Sequence, residues 1–127
     1  MLPRLEWDTK IKDLLPEEWD PTDPWAKEMA TLKDILTHIS GLPRTDNTTS
    51  VLSKLRHLRS VFELREQWSY NNIMYMVAAH IVSKLSGLPF TSFVETRIFA
   101  PLGMNSVYSV DAASKTGRMC HAWSPEG

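Results

Sequence analysis

Apolar positions along the chain fall into stretches with helical spacing, separated by turns rich in Gly, Pro and polar residues. Leu32, Ile35, Leu36 and Ile39 lie on one arc at ~100° per residue, with Lys33, Asp34, Thr37 and His38 off it; this predicts a helix over 31–40. Thr31 followed three residues later by Asp34 is a capping-box-like start. Gly41 stands where a left-handed residue would end that helix, and Pro43 prevents its continuation. After a polar loop, Thr45 to Thr49, the apolar face Val51, Leu52, Leu55 and Leu58 predicts a second helix over 50–59.

The longest helix is predicted from about Asn72 to Ser86. Its apolar residues, from Ile73 to Leu85, cover most of the circumference and leave only a strip around His80, Ser83 and Lys84. Such a helix expects neighbours on nearly every side. Ser86-Gly87-Leu88-Pro89 repeats the stop used at Ser40-Gly41-Leu42-Pro43. A shorter helix is predicted over Thr91 to Phe99, with Ser92 and Glu95 at capping-box spacing, Phe93, Val94 and Ile98 inward, and Pro101 ending it.

The first thirty residues hold Trp7, Trp19 and Trp25 among Pro16, Pro21 and Pro24. That proline density prevents a long helix; Trp7 to Leu15 reads as a short helical turn, with Ile11, Leu14 and Leu15 apolar, followed by an irregular wrap whose tryptophans cover a core edge. Val107 to Val110 is the only plausible strand, and Asp111 to Gly127 reads as irregular. The pattern as a whole is that of a mainly α chain, read as a single domain over 1–127 with an irregular tail from about 105.

Composition adds mainly exclusions. Fourteen Lys and Arg against fifteen Asp and Glu give a net charge of −1, which offers no electrostatic case for nucleic acid or an anionic membrane. The basic cluster Lys54, Arg56 and Arg59 sits beside a leucine face at helical spacing and reads as a solvated surface. The N-terminus lacks the basic start and apolar stretch of a signal peptide, and no apolar run approaches the ~20 residues that span a bilayer. The chain therefore reads as soluble, with its compartment open. The single cysteine, Cys120, excludes an internal disulfide. His38, His57, His80 and His121 include no pair at i, i+3 or i+4, and no Gly-rich phosphate loop exists, so neither a metal nor a cofactor is expected. Cys120 beside His121 does not make a nucleophile pair, because adjacent side chains diverge.

Three local signatures stand in order: His38-Ile39-Ser40-Gly41-Leu42-Pro43, Tyr70-Asn71-Asn72, and Pro101-Leu102-Gly103-Met104. With a leucine-rich helix before the first and a long apolar helix after the second, the chain resembles the β-lactamase-related serine hydrolases. That family groups class C β-lactamases, D-alanyl-D-alanine carboxypeptidases and related esterases. The resemblance runs from about Trp7 to Met104, is closest to the class C-like branch, and its wording is similar to fungal members. It implies the helical region of an α+β β-lactamase/transpeptidase-like fold, with most of the sheet missing from this chain.

The resemblance also implies a chemistry: serine attack on the carbonyl of a small amide, ester or β-lactam substrate through an acyl-enzyme. The family builds its site from a Ser-x-x-Lys, a Tyr-x-Asn and a Lys-Thr-Gly-like triad on a strand. Tyr70 and Asn72 match the second motif. Residues i and i+2 of an extended stretch point to the same side, so a phenol and an amide can face one cleft. A free phenol, with a pKa near ~10, is a poor base alone. Beside the motif's lysine, Tyr70 would take the serine proton and pass one to the leaving group, and Asn72 would hold the lysine and the substrate carbonyl. Read from the residues alone, Tyr70 and Asn72 could instead simply cap the long helix, since Asn is a favoured N-cap.

No lysine in the chain has a serine three residues before it. In the family the nucleophile lies upstream of the segment that Trp7 to Pro16 resembles, so it is expected before Met1. Lys115-Thr116-Gly117 is spelled as the third motif. It follows the Tyr-x-Asn too closely, and Asp111-Ala112-Ala113-Ser114 before it has no β-pattern, so it reads as coincidence. The expectation is a portion of a serine acyl-transfer hydrolase, inactive as it stands. The alternatives are a non-catalytic helical interaction module or pseudoenzyme, self-associating through exposed apolar surface, or an unrelated small bundle.

Overall fold

The computed structural model describes residues 4–43, 51–104, 110–117 and 119. About half of these are helical, and among them there is no strand, only an isolated antiparallel bridge between Lys10 and Thr31. The polar loop at 45–49, residues 107–109 of the strand expected over 107–110, and Cys120 with His121 lie outside the described residues.

The chain divides into two compact units, Met1–Gly87 and Leu88–Gly127. In the first, α1 (Ile11–Leu14), α2 (Pro24–Met29), α3 (Leu32–Leu36), α4 (Val51–Leu55) and α5 (Asn72–Ser86) surround one apolar core. α5 packs against α3 and α4, and α1 against α2. The centre of the core holds Ile11, Leu15, Ile35, Leu55 and Met74, each at 0% exposure. Each such side chain contributes roughly 1.5–3 kcal/mol by leaving water.

The sequence of α3 explains its start. The Thr31 hydroxyl accepts from the Asp34 N–H, and the Asp34 carboxylate accepts from the Thr31 N–H at 2.9 Å, a complete capping box. Its end departs from expectation. The helix stops at Leu36, and the left-handed residue is His38 (φ +65°), not Gly41. The Ile39 N–H reaches back to the Asp34 carbonyl at 3.2 Å, closing the turn. Gly41, also left-handed at φ +71°, serves a different purpose: a β-carbon there would sit 2.2 Å from the Phe62 carbonyl oxygen. Backbone 61–63 crosses at a distance that only glycine allows.

The N-terminal wrap is more ordered than its prolines suggested. Asp23 caps α2 by accepting from the N–H groups of Trp25 and Ala26, and Pro24 occupies the first helical position, where it lacks no needed donor. Trp19 is buried in the core, whereas Trp7 and Trp25 are exposed. Residues 7–11 are laid along 30–33 by bonds such as Leu32 N–H to the Thr9 carbonyl at 3.0 Å.

α5 spans Asn72–Ser86 and ends on a left-handed Gly87 (φ +69°), as its sequence predicts. It is not buried all round. Ile73, Met74, Val77 and Ile81 face the core, but Tyr75 and Met76 remain 47% and 40% exposed. Across the helix, His80 and Lys84 meet Glu18, with Lys84 Nζ 2.8 Å from its carboxylate.

In the second unit, α6 (Phe90–Val94) runs into a π-helical turn, Glu95–Phe99, in place of one continuous α-helix. Pro89 precedes α6 with no side-chain cap, so Ser92 and Glu95 do not form the expected box. Val94 is buried, but Ile98 is 43% exposed rather than inward. Residues expected to be irregular form α7 (Val110–Lys115), and Val110 begins it rather than ending a strand.

Candidate functional site

The segment between α4 and α5 carries the Tyr-x-Asn motif, and it is bound at successive points to residues 38–43. The Val61 N–H donates to the Gly41 carbonyl at 2.9 Å, Arg65 to Ile39 at 2.8 Å, and Ser69 to His38 at 2.9 Å. Arg65 adds a side-chain clamp. Its Nε and a terminal nitrogen reach the two oxygens of the buried Asp34 carboxylate at 2.9 and 2.8 Å, and the same terminal nitrogen reaches the Met29 carbonyl at 3.3 Å. Burial pushes the Asp34 carboxyl up, but the Arg65 guanidinium and the donors of Thr31 outweigh it and hold the group below its ordinary value.

The three residues of the motif divide sharply. Asn71 is 2% exposed and is the N-cap of α5. Its Oδ1 accepts from the Ile73 N–H at 3.1 Å, and its Nδ2 donates to the Leu42 carbonyl at 2.8 Å. Its own N–H donates to Nδ1 of His38 at 3.1 Å. Capping is thus the work of the central asparagine, not of Tyr70 or Asn72. Tyr70 is 47% exposed, and Asn72, the first helical residue, is exposed as well.

Tyr70 belongs to an aromatic group centred on His38. The imidazole lies 4.8 Å from the Tyr70 ring, 5.3 Å from Tyr75 and 5.9 Å from Trp68, the last edge-on. The Tyr75 hydroxyl donates to the Leu36 carbonyl at 2.9 Å, fixing α5 to the end of α3. The first two sequence signatures therefore form one interlocked structure.

The family model for Beta-lactamase matches residues 3–126. The chain belongs to the beta-lactamase family. Within that family it is 26% identical over 129 residues to the unguisins hydrolase ungD' of Aspergillus campestris, covering 91% of this chain and 24% of that protein. It is 31% identical over 104 residues to penicillin-binding protein 4* of Bacillus subtilis, covering 70% and 23%. The solved D-amino acid amidase of Ochrobactrum anthropi superposes with a TM-score of 0.62 at 25% identity, over 84% of this chain and 35% of that one. This beta-lactamase-family chain thus spans about a quarter of the length of those two relatives.

Tyr70 and Asn72 are exposed on either side of the buried Asn71, whose amide donates to the Leu42 carbonyl. Lys115-Thr116-Gly117 is at the end of α7: Lys115 is its last residue, Thr116 bonds back to the Ala113 carbonyl, and Gly117 is left-handed at φ +65°. Three shallow clefts are lined by other residues, one by Trp7, Asp8, Lys33, Leu36 and Thr37 and two around Thr22 and Pro24. Tyr70 and Asn72 line none of these three. Among the described residues, no three His, Cys, Asp or Glu side chains converge as a metal would require, and no single helix is long and apolar enough to cross a membrane.

Sequence reasoning found Tyr70 and Asn72 by the motif but overlooked Asn71 and His38 as their supports. The signal for Asn71 was present. Two consecutive asparagines precede an apolar helix, and the first of them has the N-cap position. The partnership with His38, 33 residues away, had no local signal.

Proposed function

We propose that Tyr70 and Asn72 are the Tyr-x-Asn half of an acyl-serine reaction centre, in a hydrolase acting on small amide, ester or β-lactam substrates. The observation that carries this reading is the division within the motif. Asn71 alone caps α5 and is buried, while the phenol and amide on either side of it remain exposed. A stretch serving only to start a helix needs the cap and nothing more. The family match over residues 3–126 and the similarity to a D-amino acid amidase support the acyl-transfer class.

In this reading, residues 1–127 are one partial domain: the helical portion of an α+β fold, with most of its sheet and the Ser-x-x-Lys on polypeptide outside the chain. A serine hydroxyl adds to the substrate carbonyl and gives its proton to the Tyr70 phenolate, formed beside the motif's lysine. Tyr70 then protonates the departing group, and water repeats the sequence on the acyl-enzyme. Asn72 donates its amide N–H to the substrate carbonyl and accepts from the lysine. Without the serine there is no covalent route, so the 127-residue chain is inactive by itself.

The test is kinetic. The chain alone, given a chromogenic β-lactam or a p-nitrophenyl ester, turns over neither above background. Turnover that disappears in Tyr70→Phe overturns its inactivity. In a full-length protein carrying the segment, Tyr70→Phe lowers kcat/KM by about 10²–10⁴; an undiminished value overturns the site. The second reading, a helical interaction module, draws on the exposed Tyr75 and Met76 of α5. A concentration-dependent dimer in size-exclusion chromatography supports it, and a monomer counts against it.

A further inference from the structure

His38 is an unusual choice for its position. It follows α3 in the left-handed region, φ +65°, where glycine is least strained. A side chain kept there is held by its surroundings, and the hydrogen bonds of His38 reach the residues on both sides of Tyr70. The His38 carbonyl accepts from the Ser69 N–H at 2.9 Å. Its Nδ1 accepts from the Asn71 N–H at 3.1 Å. Its ring packs 4.8 Å from the ring of Tyr70, between those two residues. Trp68 and Tyr75 close on the same imidazole at 5.9 and 5.3 Å.

We infer that His38 is the positioning residue of the Tyr70/Asn72 pair, holding the backbone on both sides of Tyr70 and its phenol ring at once, as a neutral imidazole with its proton on Nε2. The inference rests on the reading of Tyr70 and Asn72 as site residues. The tautomer follows from the donor. A peptide N–H points at Nδ1, so that nitrogen must offer a lone pair, and a neutral ring then carries its proton on the other nitrogen. The Asn71 N–H lies before the first turn of α5, outside the helical ladder, and its amide depends on His38 for an acceptor. Losing that acceptor leaves a part-buried donor unpaired and frees the turn that aims the phenol. His38 does not touch the reacting atoms in this scheme; it sets where Tyr70 stands.

The test uses the 127-residue chain and needs no substrate. Nitrogen-15 NMR of the wild-type imidazole should find Nδ1 unprotonated and Nε2–H; a ring protonated at Nδ1 when neutral overturns the inference without any variant. Three substitutions separate the functions of the residue. His38→Gly keeps the left-handed backbone and removes ring and acceptor, His38→Phe keeps a ring alone, and His38→Asn keeps an acceptor and tolerates the backbone. Circular dichroism should show each to be folded. Asn71 amide exchange should accelerate about tenfold or more in the Gly and Phe variants, with Tyr70 ring resonances displaced in Gly, and return toward wild type in His38→Asn. Exchange and ring shifts unchanged in His38→Gly overturn the inference. In a full-length protein, His38→Gly should lower kcat at nearly constant KM, with partial rescue by His38→Asn. An undiminished kcat in His38→Gly, where Tyr70→Phe loses activity, overturns the inference and leaves the site reading intact. An undiminished kcat in Tyr70→Phe overturns that reading, and the inference with it.

Discussion

Arg65 lays its guanidinium fork across the carboxylate of Asp34, 2.8 and 2.9 Å from its two oxygens, and so ties the motif-bearing segment to α3, the helix that His38 follows. The pair is lopsided: the Asp34 side chain is 3% exposed and that of Arg65 is 44%. Asp34 also completes the capping box of α3. One carboxylate therefore starts a helix and anchors a loop 31 residues away.

Arg65→Ala should destabilise the chain by about 2–3 kcal/mol, somewhat below the value for a fully buried pair because the arginine is partly solvated. Arg65 is itself left-handed, φ +70°. Arg65→Gly relieves that backbone and should cost less than Arg65→Ala, though still more than nothing. Urea melts of the two variants measure the difference, and equal midpoints would refute the backbone contribution.

Acid should weaken the same clamp. Asp34 is held below its ordinary value, burial being outweighed by Arg65 and Thr31. A carboxylate lowered on folding contributes stability that is whole above its unfolded value, ~3.9, and drains away as pH falls through the folded one. The melting temperature should be level near neutrality and fall below about pH 4. Glu18, lowered mainly by Lys84 and also by His80, adds to that limb. Asp34→Asn isolates the share of the clamp: it should lower stability at neutral pH and flatten the acid slope.

Asn71→Ala removes the cap on Ile73 and the donor to the Leu42 carbonyl together. The expected loss is about 2–3 kcal/mol, roughly 1 for the cap and the rest for the buried carbonyl left unpaired. Asn71→Asp keeps the cap acceptor but turns a carboxylate toward the Leu42 carbonyl, and it should not rescue stability at neutral pH. Thermal melts followed by circular dichroism distinguish the three proteins.

Gly41→Ala meets two obstacles, the left-handed backbone and a carbonyl oxygen 2.2 Å from the new β-carbon. It should cost about 2 kcal/mol or more and loosen residues 61–63, read as faster amide exchange at Val61. Gly87→Ala, with open space around its β-carbon, bears the backbone strain alone and should cost less.

Elements whose signals lie within one or two turns were legible in the sequence. α5 has its expected bounds and its left-handed Gly87, and Thr31 and Asp34 form their capping box. The same grammar misled at Gly41, because a glycine can serve a turn or a close approach, and only the passage of Phe62 reveals which. It misled again at Pro24, where the stretch reads as an irregular wrap but a proline after Asp23 opens the short helix α2. Tyr70 and Asn72 were legible as a motif. That Asn71 between them is buried, with its amide spent on Leu42 and its N–H on His38, was not.

The sequence by itself determined where α5 begins and ends, how α3 starts, and that a Tyr-x-Asn precedes the long helix, since each depends on residues a few positions apart. The tertiary structure alone decided that His38, Asp34 and Leu42 hold that motif, and that one face of α5 keeps Tyr75 and Met76 in solvent. Those partners are some thirty residues distant, and hydrogen bonds at that separation leave no periodic trace: they exist only once the chain has closed the loop between them.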